Sequence, residues 1–122
     1  MQATYDIKIE PNRSLIRMTM TGFFDTATIE RLKLDRMVAL RQLACAPSMH
    51  VTLCDISRAE PSSQAIADQF RAFIANPSNA SRRLAFVVGS MLARLQMRRI
   101  IDRPDVGFFA TIEAAEAWLF AP

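Results

Sequence analysis

Residues 49–56, Met-His-Val-Thr-Leu-Cys-Asp-Ile, form a run that is apolar on both of its alternating faces. A strand with one wet face alternates, whereas one covered on both faces stays apolar, as in the middle of a mostly parallel sheet between helix layers. Ser57-Arg58-Ala59-Glu60-Pro61-Ser62-Ser63 follows as a loop that starts a helix. The stretch 49–63 therefore reads as the central strand and the beginning of a crossover. Open α/β sheets bind ligands beyond the carboxyl ends of their strands. That rule makes Asp55, Ser57, Ser62 and Ser63 the first candidates for a site.

The segments before this strand read as a hairpin. Tyr5, Ile7 and Ile9 alternate with Asp6, Lys8 and Glu10, Pro11-Asn12-Arg13-Ser14 breaks the pattern, and residues 15–21 resume it up to Gly22. Asp25 is placed to cap a helix running to about Leu43. Ile29, Leu32, Leu40 and Leu43 share its main stripe, Leu34, Met37 and Val38 lie round the side, and Arg31, Asp35 and Gln42 make a narrow polar face. So wide an apolar face implies more than one neighbour, either hairpin and sheet together or a second copy in a homodimer.

Beyond Pro47 and the central strand, Ser62 and Ser63 offer cap oxygens to a helix with Ile66, Phe70, Phe73 and Ile74 on one stripe, which Asn76-Pro77-Ser78-Asn79 ends. Residues 84–88 form a second buried strand. Gly89-Ser90 turns it into a helix over 91–101, and Asp102-Arg103-Pro104 stops that helix. Residues 106–109 make a short last strand. Thr111 then caps a final helix with Glu113 near its positive end, anchored by Trp118 and Leu119. The order is ββαβαβαβα, one α/β domain over residues 1–122, with a mostly parallel sheet and an antiparallel first strand.

Composition narrows the function by exclusion. A formal charge of +3, with the arginines spread along the chain, does not point to nucleic acid. The arginine-bearing helix over 91–101 also lacks the interleaved aromatics that single strands stack on. No apolar run reaches signal-peptide or membrane-spanning length, which implies a cytoplasmic protein without membrane insertion. Cys54 lies mid-strand as a small hydrophobe, so a disulfide with Cys45 is not expected. One histidine and no cysteine pair at ligand spacing provide little for a metal, and no cofactor is expected. His50 and Asp55, an odd number of residues apart on one strand, point to opposite faces rather than forming a relay. The nucleophile elbow, the Walker loop and the Gly-x-Gly-x-x-Gly turn are all absent from the sequence, and the expectation is a non-enzyme.

The element order, Val51-Thr52-Leu53-Cys54-Asp55-Ile56-Ser57 as a central strand ending in Asp-x-Ser, and Phe108-Phe109-Ala110-Thr111-Ile112-Glu113-Ala114-Ala115 at the last strand and helix together resemble the STAS family. This family includes bacterial anti-sigma factor antagonists and the cytoplasmic domains of sulfate transporters, and the chain is most similar to its divergent SpoIIAA-like branch. In the antagonists the second helix begins with an Asp-Ser-Ser-Gly-like motif whose serine a partner kinase phosphorylates. The matching residues are Pro61-Ser62-Ser63-Gln64, with proline for the acid and glutamine for the glycine. The resemblance implies Ser63 as a phospho-switch, with Ser62, Ser57 and Asp55 beside it and a kinase-like or sensor protein as partner.

A second cluster is Ser90, Arg94, Arg98 and Arg99. Arg94 and Arg98 share a helix face behind the Gly89-Ser90 turn, with Arg99 close by. They read either as an anion patch or as a solvated face whose arginines pair with Asp102, Asp105 or Glu116. Two functions remain: a protein-binding regulatory domain, or a carrier whose first helix and methionines Met18, Met20, Met37 and Met91 line a pocket for an apolar or acyl ligand.

Overall fold

The computed structural model describes residues 2–46, 48–61, 63–77 and 80–122. Strands β1 (Thr4–Glu10) and β2 (Leu15–Gly22) pair antiparallel across a short 3-10 turn at Pro11–Arg13. Ser14 closes that turn at a left-handed φ of 48° and donates its N–H to the Pro11 carbonyl. Three parallel strands follow, β3 (Val51–Ala59), β4 (Arg83–Val87) and β5 (Val106–Phe109), in the spatial order β1-β2-β3-β4-β5. The helices are α1 (Thr26–Leu43), α2 (Gln64–Ala75), α3 (Met91–Ile100) and α4 (Ile112–Leu119). This is the predicted α/β order.

Because neighbouring parallel strands follow one another in sequence, crossovers of a single hand put α1, α2 and α3 on the same face. Their side chains meet Ile16, Met18, Met20, Cys54, Phe86 and Phe108 there. Helix α4 comes after the last strand and covers the other face. Ala115 and Leu119 of α4 pack on Leu15, Val51, Leu53, Ala85 and Val87, with no exposure at Leu15, Leu53, Ala85, Ala115 or Leu119. Thr111 accepts from the Ala114 N–H at 3.1 Å to start α4, and Arg83 donates to the Trp118 and Ala121 carbonyls at its end. Both ends of the helix are thereby satisfied.

The faces differ in how closely their helices sit. In α1, Ile29 and Leu32 are buried against the hairpin, while Leu34, Met37 and Val38 point outward and are exposed. In α2 only Ile66 is fully buried, and α3 has no fully buried residue. The stripe Phe70, Phe73 and Ile74 faces inward but is only half-buried, because it looks into a space rather than onto the sheet.

The central strand starts two residues later and ends three residues later than the sequence pattern implies. Thr21 and Gly22 of β2 extend the ladder by pairing with Arg58 and Ala59. Between the pairs Thr19–Asp55 and Thr21–Arg58, β3 carries one residue more than β2, a bulge.

Candidate ligand cavity

The space beneath α2 and α3 is a cavity of about 500 Å³. Met18, Met20, Cys54, Leu84 and Phe86 form its floor on the sheet. Leu32 and Arg36 of α1 make one wall, and Phe70, Phe73, Ile74, Ala93 and Met97 roof it from α2 and α3. Thr52 and Ser81 line it near the start of β3 and β4, and Ala59, Glu60 and Pro61 line it where β3 ends. Thr52 and Ala59 are seven residues apart on one strand, so the lining extends for about 23 Å.

The polar end is organised by hydrogen bonds. The Thr52 and Ser81 hydroxyls lie 2.7 Å apart, and Ser81 Oγ is 3.0 Å from His50 Nε2. His50 is 4% exposed. Burial, with the nearby Arg36 charge second, lowers its pKa to about 4, so the imidazole is neutral at neutral pH. Arg36 is itself 4% exposed, and its guanidinium lies over the Phe73 ring at 5.4 Å. Burial pulls its pKa down as well. Farther along the floor, the Cys54 thiol donates to Met20 Sδ at 3.6 Å. Its pKa is pushed up to about 12, first by burial and then by the neighbouring Asp55 carboxylate.

The predicted site residues do not converge here. Asp55 Oδ1 accepts from the Ser57 N–H at 3.0 Å and its hydroxyl at 2.6 Å, satisfying a backbone donor that the bulge takes out of the ladder. Both residues therefore lie within β3 and not at its exit, a correction that follows from the longer ladder. Ser63 caps α2, its exposed hydroxyl accepting from the Ile66 N–H at 3.3 Å. Ser62 lies outside the described residues. His50 bonds Ser81 while Asp55 bonds Ser57, so the two have separate partners.

Ser90 caps α3 by accepting from the Ala93 N–H at 3.3 Å. Arg94 turns back to donate to the Val88 carbonyl at 2.8 Å, while Arg98 and Arg99 are exposed. Of the acids proposed as their partners, Asp105 is engaged by Arg103 and Glu116 by Arg17 and Arg13. Of the four methionines, Met18 and Met20 line the cavity. Met37 and Met91 are exposed, on the outward side of α1 and in the first turn of α3, and Met97 lines the cavity instead.

Sequence reasoning missed Arg36, Thr52 and Ser81. Arg36 had a legible signal, standing four residues after Leu32 and seven after Ile29, within the apolar stripe of α1. Among the described residues no group of three His, Cys, Asp or Glu side chains could hold a metal, and no helix is long and apolar enough to cross a membrane. A wider recess of about 970 Å³ at the start of α1 is lined by Gln2, Phe23, Asp25, Arg31 and Glu60, but Asp25 there is committed to capping Thr28.

A five-stranded sheet with an antiparallel first strand, three helices on one face and a fourth on the other is a SpoIIAA-like fold. The chain is similar to a solved structure described as an uncharacterized protein from the DUF3478 family with a SpoIIAA-like fold, from Shewanella loihica PV-4. The TM-score is 0.72 at 18% sequence identity, over 96% of this chain and 93% of that one. No family model matches the sequence, and no curated protein matches it significantly. The likeness carries the fold, and the site rests on its own geometry.

Proposed function

We propose that this chain is a non-enzymatic binding domain that encloses a small apolar or acyl ligand between its sheet and helices α2 and α3. The cavity carries this reading. Its volume of about 500 Å³ lies within the usual range for small-molecule sites. Spread over about 23 Å it has a mean cross-section of about 20 Å², which suits one extended hydrocarbon chain better than a compact ring system. The adaptable thioethers of Met18, Met20 and Met97 suit such a guest.

Native mass spectrometry of the purified protein, with titration of medium-chain amphiphiles, tests the reading. Retained or added ligand is expected at one per chain. Ala67→Trp, which fills the cavity from α2, is expected to weaken binding about tenfold or more while leaving the sheet folded. Absence of binding to the wild-type chain counts against a carrier.

The regulatory reading draws on the SpoIIAA-like fold and on the exposure of the Ser63 hydroxyl at the start of α2, the helix that roofs the cavity. In that reading the domain acts in the cytoplasm on a kinase-like or sensor protein. A phosphate on Ser63 would meet the free amides and positive end of α2. Pull-down with wild type and Ser63→Asp tests it, and identical partners at identical strength oppose it. The outward Leu34, Met37 and Val38 of α1 are the surface for a homodimer, which light scattering reads directly.

A further inference from the structure

Helix α3 roofs the cavity with one side and turns an apolar, basic side outward. We propose that this outer face docks on an anionic lipid bilayer, with Met91, Leu92 and Leu95 entering the interfacial layer and Arg98 and Arg99 meeting lipid phosphates.

The helical repeat separates the two sides. Ala93 and Met97 line the cavity, whereas Met91, Leu92 and Leu95 are 68%, 65% and 49% exposed. At 3.6 residues per turn, Leu92, Leu95 and Arg99 share one outward arc, with Met91 and Arg98 on its flank. The arc is therefore apolar where the helix begins and basic where it ends. With Ile100 as a fourth, α3 bears more exposed large hydrophobic side chains than any other element among the described residues. At 1.5 Å per residue the helix is about 15 Å long, half of what crosses a hydrocarbon core, so it lies along the surface.

Charge selects the occupant. The sequence from Arg82 to Arg103 sets Arg82, Arg83, Arg94, Arg98, Arg99 and Arg103 against a single acid, Asp102, which lies beyond the helix end. Arg98 and Arg99 are exposed and make no ion pair among the described residues. A second copy would bring a face of the same sign against them. A nucleic acid would take the arginines but offer the aliphatic side chains nothing to enter. An anionic bilayer accepts both, with phosphates for the guanidinium groups and the acyl boundary for methionine and leucine. Gln96 and Ile100 are exposed and also line the cavity, so the cavity reaches the surface along the edge of this face. Given the ligand-binding reading above, that edge is where an apolar guest passes between bilayer and cavity.

The experiment is co-sedimentation of the full chain with vesicles of phosphatidylcholine alone or mixed equally with phosphatidylglycerol, at physiological ionic strength and without added ligand. Wild type is expected to bind the mixed vesicles about tenfold or more tighter. The double variant Arg98→Gln/Arg99→Gln is expected to lose most of that preference. Leu92→Ser/Leu95→Ser is expected to weaken binding to the mixed vesicles about tenfold, while Leu34→Ser/Met37→Ser on α1 leaves it unchanged. All six positions are exposed, and circular dichroism checks that each variant folds. Equal binding of wild type to both vesicles, or binding to neither, overturns the proposal. So does unchanged binding by the Leu92/Leu95 variant, which would reduce the contact to general adsorption of a basic protein. Loss of a dimer in the α3 variants, with no vesicle binding by wild type, gives the face to a second copy and also overturns it. Because no ligand is added, failure here leaves the cavity reading standing, and an empty cavity in mass spectrometry leaves the docking face standing.

Discussion

His50 immediately precedes β3 and Cys54 lies four residues further on within it, and burial acts on both by disfavouring the charged form. For His50 the folded pKa of about 4 lies below its ordinary 6.5. Above pH about 6.5 neither state carries a proton on the ring and the full stability is present. As the pH falls toward about 4, the unfolded chain takes a proton that the folded chain refuses, and up to about 3 kcal/mol is lost. Denaturant titrations across that window are expected to show a shallower decline for His50→Gln than for wild type. Cys54, buried and held protonated, is expected to react with iodoacetamide far more slowly than the half-buried Cys45, and to become reactive on unfolding. Peptide mapping after timed alkylation checks this.

Among the elements, β5 and α4 meet in a close-packed joint. A Cβ on Gly107 would come within 2.7 Å of the Phe109 ring, which is wedged at 5.4 Å against the Trp118 ring. Gly107→Ala is expected to cost about 1–3 kcal/mol by overpacking, read as a lowered melting temperature. The joint was legible in part: Trp118, Leu119 and the Thr111 cap follow from pattern alone, and so do the caps at Asp25 and Ser63. The stand-off of α2 and α3 was not. Periodicity tells which face of a helix turns inward, but not how far that face lies from the sheet, so Phe70 and Ile74 look the same over a packed core as over a cavity. Arg36, though its place in the stripe was legible, was passed over for a related reason. A charged residue inside an apolar stripe reads as an interruption until the space opposite it is seen. Asp55 and Ser57 were misplaced because a bulge leaves no mark in the residue pattern.

For the molecule as a whole, the two sheet faces have unlike stability. The α4 face is closely packed, whereas the α2–α3 face encloses a void whose lining lacks contacts on one side. Amide exchange is expected to be fastest in α2 and α3 and slowest in β2, β3 and β4, and bound ligand is expected to slow α2 and α3 selectively. Hydrogen–deuterium exchange with and without decanoate measures this. Uniform slowing over the whole chain would place the ligand elsewhere.

The sheet order leaves β1 and β5 with unpaired sides, the places where another chain could add a strand. β1 carries Asp6 and Lys8 in alternation, 3.8 Å apart and well exposed, and charged positions of this kind discourage a foreign strand. β5 is only four residues long, too short to template a durable ladder. Growth by edge-to-edge addition is therefore resisted on both sides, so self-association of this protein falls to its helical surfaces, and crowding should yield discrete oligomers rather than fibrils.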